Sequence, residues 1–367
     1  MLSDFVGGLP PQKRAPRRVV HVDLDYVYSD DPGQQERNLS VLLDRVKALG
    51  PNTVYLQAFA DPDGDGVADA LYFPNRHMPV RADLFSRVAW QLFTRADVEV
   101  FAWMPLLAFR LPADHPASRL TVQSDGAAPP PGTYARLSPF HPRARSVILD
   151  IYEDLARHAA FQGILFHDDA TLTDAEDAAP WALDLYAGQW GLAGSVAAIR
   201  SDPALARQWA RRKTAALIAL THEAMERARA FRLPLKSARN LYAGVALDPE
   251  AEAWFAQSLP AFVAAYDQTA IMAMPYLEGA ADPGRWLETL VRRVKRRLGS
   301  LDKVVFELQA TDWRARRPVD SAEIAGVMRQ LQLGGALNFG YYPDDFVGNH
   351  PDLRAVKPAL SLTADLD

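Results

Sequence analysis

RVVHVDLDYVYSDDPGQQERNLSVLLDRVKALGPNTVYLQAF, residues 18–59, decides how the chain is read. It opens on a β-rich run, RVVHVDLDYVY (18–28), and closes on another, TVYLQAF (53–59). Between them Gln34–Leu49 is amphipathic at helical spacing. The same unit recurs to the end of the chain. Further β-rich runs are VEVFAWMP (98–105), GILFHDD (163–169), LKSARNLYA (235–243), QTAIMAMPY (268–276), KVVFELQAT (303–311) and ALNFGYYP (336–343). Helices are expected at Ala82–Thr94, Pro142–His158, Pro203–Phe231, Pro249–Ala256, Pro283–Leu298 and Ser321–Leu331. Several begin on Pro, and DPEAEAW, DPGRW and DSAEI each offer an Asp as N-cap; Gly299 suits a C-cap. Eight strands alternating with helices predict an α/β fold, a (β/α)8 TIM barrel spanning 18–359. An open doubly wound sheet fits less well, because no Gly-rich phosphate loop follows the first strand. Residues 1–17 read as a ragged lead-in and 360–367 as a C-terminal tail. The connections after strands 3 and 4, Leu106–His141 and Ala170–Ser201, are elongated; the second has apolar residues enough for short helices of its own.

The totals set outer limits. The 367 residues are 49% hydrophobic and 23% charged, an ordinary globular composition. No apolar stretch is long enough for a membrane span, and the first residues lack the apolar core of a signal peptide. There is no Cys, which excludes disulfides, thiol nucleophiles and zinc–thiolate sites. The formal charge of −5 argues against nucleic acid as partner. A monomer is expected.

In a barrel the chemistry sits where strands hand over to loops. Strand 1 delivers Asp23, Asp25 and Tyr26. Strand 2 delivers Gln57 and the loop acids Asp61, Asp63 and Asp65. Trp103 comes from strand 3, and His167, Asp168 and Asp169 from strand 4. Lys236, Arg239 and Asn240 come from strand 5, Tyr276 and Glu278 from strand 6, Glu307 and Trp313 from strand 7, Tyr341 and Tyr342 from strand 8. Carboxylates and aromatics dominate. Any one aromatic is better read as barrel filling; the group is the equipment of a carbohydrate site, where rings stack on sugar faces and carboxylates bind hydroxyls. The basic runs, RQWARRK (207–213), ERARAFR (226–232) and RRVKRR (292–297), fall on helices and read as solvated outer faces. An acidic cleft suits a cationic sugar such as glucosamine.

DPDGDGVADALY (61–72) resembles a calcium loop at Asp61, Asp63, Asp65, Gly66 and Asp69, but position 12 is Tyr72 where a bidentate Glu belongs. An acidic turn walling the cleft is the better reading. HDD (167–169) lacks further ligands at metal spacing. No metal and no cofactor is assigned. GxSxG, P-loop and GxGxxG motifs are absent.

Taken in order, VDLDYVY, LQAFADPDGDG, LYFPNRHMPVRADLF, FAWMP, ILFHDDA, SARN, AMPYLEG, FELQATDW and GYYPDDF cover nearly the whole chain. Together they resemble the C-terminal domain of bacterial poly-β-1,6-N-acetyl-D-glucosamine N-deacetylases of the PgaB type, which looks like a glycoside hydrolase (family 153). The resemblance implies an endo-acting hydrolase of the partly deacetylated polymer. It also implies a periplasmic, outer-membrane-associated setting in biofilm exopolysaccharide export, beside an N-terminal deacetylase domain and an outer-membrane exporter. No deacetylase activity is expected of this chain alone.

Hydrolysis needs an acid for the leaving oxygen and a partner for the oxocarbenium-like transition state. Adjacent Asp pairs after strand 4 are similar to those of substrate-assisted hexosaminidases. On that basis Asp169 is expected as general acid and Asp168 as partner of the substrate acetamido group, with the order open. Glu307, Asp23 and Asp25 are reserves for a nucleophile or base. A non-catalytic barrel guiding the polymer is the alternative. Successive strand residues face opposite sides, so both aspartates reach the cleft only if the strand ends near Asp168.

Overall fold

A computed structural model describes residues 15–126 and 134–360. Residues 1–14 of the expected lead-in, most of the GAAPPPG run and the tail from 361 lie outside the described residues.

All eight expected runs form strands: β1 (Arg18–Val22), β2 (Thr53–Gln57), β3 (Glu99–Met104), β4 (Gly163–Phe166), β5 (Lys236–Tyr242), β6 (Gln268–Ala273), β7 (Val304–Gln309) and β8 (Phe339–Tyr342). Every neighbouring pair is parallel. β1 pairs with β2 on one side and β8 on the other, which closes the barrel. Each strand is shorter than its run. The chain leaves β geometry early at the C-terminal ends, and so hands side chains to the mouth. After β1 it turns through a 3-10 helix at Leu24–Tyr26. β4 stops at Phe166, so Asp168 and Asp169 both lie in a turn.

The helices follow the expected pattern at Pro32–Leu49, Phe85–Ala96, Pro142–His158, Pro203–Arg229, Pro283–Leu298 and Ser321–Leu333. Pro249–Ala256 divides into a 3-10 turn and one α turn. The three Asp caps form: Asp248 accepts from Glu250 N, Asp282 from Arg285 N, and Asp320 from Ala322 N and Glu323 N. Gly299 closes its helix at φ 75°. The long connection after β4 carries helices Pro180–Gly188 and Val196–Ser201. A last helix, Leu353–Leu360, was not anticipated; it packs on Pro32–Leu49 and Ser321–Leu333, and buries Leu360, which the sequence assigned to the tail.

The barrel interior is filled from alternate residues. At the base Arg17 and Lys236 converge on Glu99, and Arg17 N donates to Asn338 Oδ1 at 2.9 Å. Arg17 thus belongs to the barrel base. Above it Tyr55 donates to Gln268 across the interior at 2.7 Å. Phe101 lies opposite Gly163, where an added Cβ would meet the ring at 2.4 Å. Higher still, Glu307 joins three strands, holding His21 Nε2 at 2.9 Å and Asn240 Nδ2 at 2.7 Å. These side chains floor the cleft.

Gly163→Ala is expected to lower stability by about 1–3 kcal/mol, the cost of overpacking a filled interior. Denaturant unfolding checks it, and Phe101→Leu in the same chain should recover part of the loss.

Candidate active site

The cleft opens at the C-terminal ends of the strands and encloses about 1060 Å³. Seven carboxylates line it: Asp23 and Asp25 after β1, Asp61, Asp63 and Asp65 in the loop after β2, Asp168 after β4 and Glu307 on β7. Aromatic walls come from Tyr26, Phe59, Trp103, Tyr134, Trp313 and Tyr342. Among the described residues no Lys or Arg lines it. Trp103 is the hub of the rings, 5.4 Å from His21 and 5.2 Å from both His167 and Tyr342. Trp313 stacks on Tyr342 at 5.9 Å and an interplanar angle of 23°.

Asp168 is held as an anion. Its Oδ1 sits 2.8 Å from His167 Nε2 and accepts from Tyr134 Oη at 3.2 Å; its Oδ2 accepts from Tyr242 Oη at 2.8 Å. Burial alone would raise its pKa. The His167 ring and the two phenols outweigh burial and hold it below the ordinary carboxylate value. Reciprocally, burial disfavours the His167 imidazolium, but the Asp168 charge prevails and raises that pKa.

Asp169 turns the other way. Its carboxylate is fully buried and accepts from three consecutive backbone amides, Leu106 N at 3.0 Å, Leu107 N at 2.6 Å and Ala108 N at 2.7 Å. Burial pushes its pKa up and the amides oppose the rise. It does not line the cleft. The geometry departs from the expectation of Asp169 as general acid: the carboxylate is a buried acceptor for three N–H groups and is absent from the cleft lining. Its place is behind the site, fixing the start of the loop after β3 to the turn after β4.

Around the acids of the first two strands the hydrogen bonding is uneven. Asp25 accepts from Tyr72 Oη at 2.6 Å, Asp61 N at 3.0 Å and Gln57 Nε2 at 3.2 Å. Asp61 accepts from Asp65 N and Gly66 N at 3.0 and 2.9 Å. Its pKa rises to about 6, chiefly through burial. Asp61, Asp63 and Asp65 bring oxygens within 4.8 Å of one another. Those oxygens are engaged by the loop's own amides and by Arg110, which pairs with Asp65 at 2.5 Å and also with Asp69. The loop is thus the acidic wall the sequence suggested. Asp23 has little support: Tyr342 Oη lies 3.5 Å from Oδ2, and the buried Oδ1 has no partner.

Residues 21–342 match the family described as hypothetical glycosyl hydrolase family 13. The PgaB (BpsB) glycoside hydrolase domain from Bordetella bronchiseptica superimposes with a TM-score of 0.92 at 53% identity, over 95% of this chain and all of that one. The chain belongs to this glycoside hydrolase family. It is a glycosidase. A poly-beta-1,6-N-acetyl-D-glucosamine N-deacetylase from Escherichia coli K12 is 47% identical over 359 residues, 95% of this chain. This hydrolase spans about half, 53%, of that relative's length. An α-L-fucosidase from Paenibacillus thiaminolyticus shares only the fold, at 12% identity and a TM-score of 0.59.

Several residues expected at the hydrolase cleft lie elsewhere. Lys236 is at the opposite end of the barrel, on Glu99. Arg239 points outward, bonding Tyr266 Oη at 2.8 Å and Ala170 O at 3.0 Å beneath the β4 turn. Tyr341 also points outward, to Asp344, which pairs with Arg45 at 2.8 Å. Tyr276 binds Glu323, away from the cleft, and Glu278 does not line it. The remaining expected residues, from Asp23 to Tyr342, do line it. His21, Tyr242 and Tyr134 were missed. Parity marks the first two: His21 shares a face with Asp23, and Tyr242 with Asn240. Tyr134 comes from the long loop after β3 and carries no such signal.

The two elongated loops are cross-tied. Arg136 pairs with Glu176 at 2.9 Å and Ser138 donates to Asp177 at 2.6 Å. Lys213, within a basic run read as solvated, is fully buried; it donates to Thr173 O and, at 2.8 Å, to Glu176 O. Its neighbours Arg211 and Arg212 are exposed as expected.

Asp169→Asn should lower unfolding free energy by ~1–3 kcal/mol, because a buried amide group cannot accept from all three N–H donors. Cleavage should fall with it, through displacement of Asp168. Denaturant unfolding beside a cleavage assay checks both; a variant of unchanged stability would remove the anchoring role.

Proposed function

We propose that this hydrolase cleaves partly deacetylated poly-β-1,6-N-acetyl-D-glucosamine within the chain. One observation carries the reading: seven carboxylates and a set of Trp and Tyr rings line the cleft, with no Lys or Arg among the described lining residues. Free glucosamine amines are cations near neutral pH, and carboxylates bind them by charge-assisted hydrogen bonds. Low-dielectric aromatic walls strengthen that attraction, and rings accept the apolar faces of sugars. A neutral glucan would gain nothing from so much negative charge. The Escherichia coli relatives carry this polymer in their names, and the present chain matches about half of each. The setting that goes with the reading is the periplasm, beside a deacetylase domain and an outer-membrane exporter in a longer protein.

Asp168 is assigned to the acetamido group of the sugar undergoing cleavage. In a substrate-assisted reaction the acetamido oxygen attacks the anomeric carbon, and positive charge grows on the ring that forms. A carboxylate already fixed by Tyr134, Tyr242 and His167 accepts the acetamido N–H and stabilises that charge without reorganising. The depressed pKa of Asp168 suits this role.

Asp168→Asn is expected to reduce polymer cleavage by ~10²–10³-fold, the usual cost of one preorganised electrostatic partner. Product sizing by chromatography measures it, with the thermal midpoint as control for folding; normal cleavage removes the assignment. Double displacement by the acetamido oxygen predicts retention. Proton NMR of the first product should therefore show the β anomer, and an α anomer would rule out substrate assistance.

A further inference from the structure

We propose that Arg239 is a positioning residue for the reaction: its guanidinium braces, from behind the barrel wall, the turn that presents Asp168. The inference rests on the assignment of Asp168 above and adds the group that holds its backbone in place.

The observation is a buried cation without an anion. Arg239 lies on β5, in register with Phe166, the last residue of β4, and with Thr269 of β6. Its side chain is fully buried, and its Nε has no partner. Among the described residues no carboxylate pairs with it; both of its hydrogen bonds go to neutral oxygens. A guanidinium keeps its charge in a protein, and a buried charge left unpaired is costly. Arg45 and Arg136, also buried, meet the carboxylates of Asp344 and Glu176. Arg18 has no carboxylate either, but it opens β1 at the end of the barrel away from the cleft. An apolar side chain of similar volume would fill the place of Arg239 at less cost. The charge therefore calls for a reason beyond packing.

Its contacts supply one. Nη2 donates to Ala170 O at 3.0 Å and Nη1 to Tyr266 Oη at 2.8 Å. Ala170 directly follows Asp168 and Asp169. Tyr266 precedes β6 and is anchored in turn, its Oη 2.7 Å from Thr221 Oγ1 on the helix Pro203–Arg229. Phe262 covers the guanidinium, its ring centroid 4.4 Å from Cζ. A planar fork holds two acceptors at a set spacing, so Arg239 ties the turn to the helix layer. The same turn is held elsewhere by the three amides that take Asp169. One fixing grips a side chain and the other a main-chain carbonyl, and Asp168 is next to the first and two residues from the second. Its carboxylate meets Tyr134, Tyr242 and His167 only while the turn keeps this path.

The charges agree with the contacts. Burial raises the pKa of Tyr152; the Asp169 charge adds to the rise and the Arg239 charge opposes it. Asp169 and Arg239 therefore share one buried layer behind the cleft, where attraction between them is little screened.

The test is Arg239→Met, which keeps the volume and removes the fork. An apolar replacement of a buried charge is often neutral for stability, so the thermal midpoint should stay near that of wild type. On the polymer, kcat should fall by ~10–10²-fold, the cost of a reacting group displaced by about 1 Å, with KM within about threefold of wild type. A merely structural residue would lower the midpoint and leave kcat of the folded enzyme unchanged, and unchanged kcat overturns the role. Arg239→Lys keeps the charge without the fork and decides the matter if the Met variant does not fold. Its kcat should fall by at least about tenfold; a wild-type kcat overturns the brace. A double variant shows what Arg239 acts through. In an Asp168→Asn background, Arg239→Met should slow cleavage by no more than about threefold further, because the group it positions is already gone. Losses that multiply overturn the role. Normal cleavage by Asp168→Asn, or polymer left intact by wild type, instead removes the readings above. Arg239 is then judged by amide hydrogen exchange. Residues 167–171 should exchange faster in Arg239→Met than in wild type while β5 and β6 stay protected, and unchanged exchange there overturns the brace.

Discussion

Three backbone amides meeting one carboxylate hold this site together. Leu106 N, Leu107 N and Ala108 N close on Asp169 and so tie the exit of β3 to the exit of β4. Two consecutive residues of a strand would face opposite ways. By ending β4 at Phe166 and capturing Asp169 behind the wall, the fold leaves Asp168 turned into the cleft. A pair of adjacent carboxylates in a buried place would repel, and burial would press both toward protonation. Here each has separate donors. His167, between them, is 2.8 Å from Asp168 and 3.8 Å from Asp169.

Much of this was legible in the sequence because it rests on periodicity. Eight β-rich runs with helices between them leave few alternatives to a closed parallel barrel, and Pro and Asp marked the helix starts. The acidic and aromatic character of the strand ends was equally plain. What failed was the assignment of individual side chains, for two reasons. Arg239 and Tyr341 have the wrong parity: Asn240 and Tyr342 take the inward positions, so their neighbours must face the helices. Lys236 shares parity with Asn240 but sits at the other end of the strand, where it answers Glu99. Alternation identifies a face; the end of the barrel follows only from counting register. The division between Asp168 and Asp169 depends on the path of a turn, which no period encodes. Tyr134 reaches Asp168 from a long loop and was invisible for the same reason.

The polar interior explains why the cleft can be so acidic and still sit on a stable barrel. Glu307 bridges His21 and Asn240 beneath the site, which satisfies both carboxylate oxygens. The acids of the β2 loop fold back on their own amides, and Arg110 draws off part of their charge from outside the cleft. Among the described residues, a buried carboxylate oxygen without a partner is thereby confined to Asp23.

The cross-ties between the two long loops have a consequence for recognition. Lys213 reaches from the core of its helix to two carbonyls of the loop after β4, and the same loop is clamped to the preceding one through Arg136–Glu176 and Ser138–Asp177. The described parts of both loops are thus held from below, by residues that do not line the cleft. A wall already fixed before encounter spares the complex much of the entropy of ordering it. On the proposed reading of a flexible glycan as substrate, affinity follows how many sugars lie down at once, so a short fragment would dissociate quickly from the same surface that retains a long one.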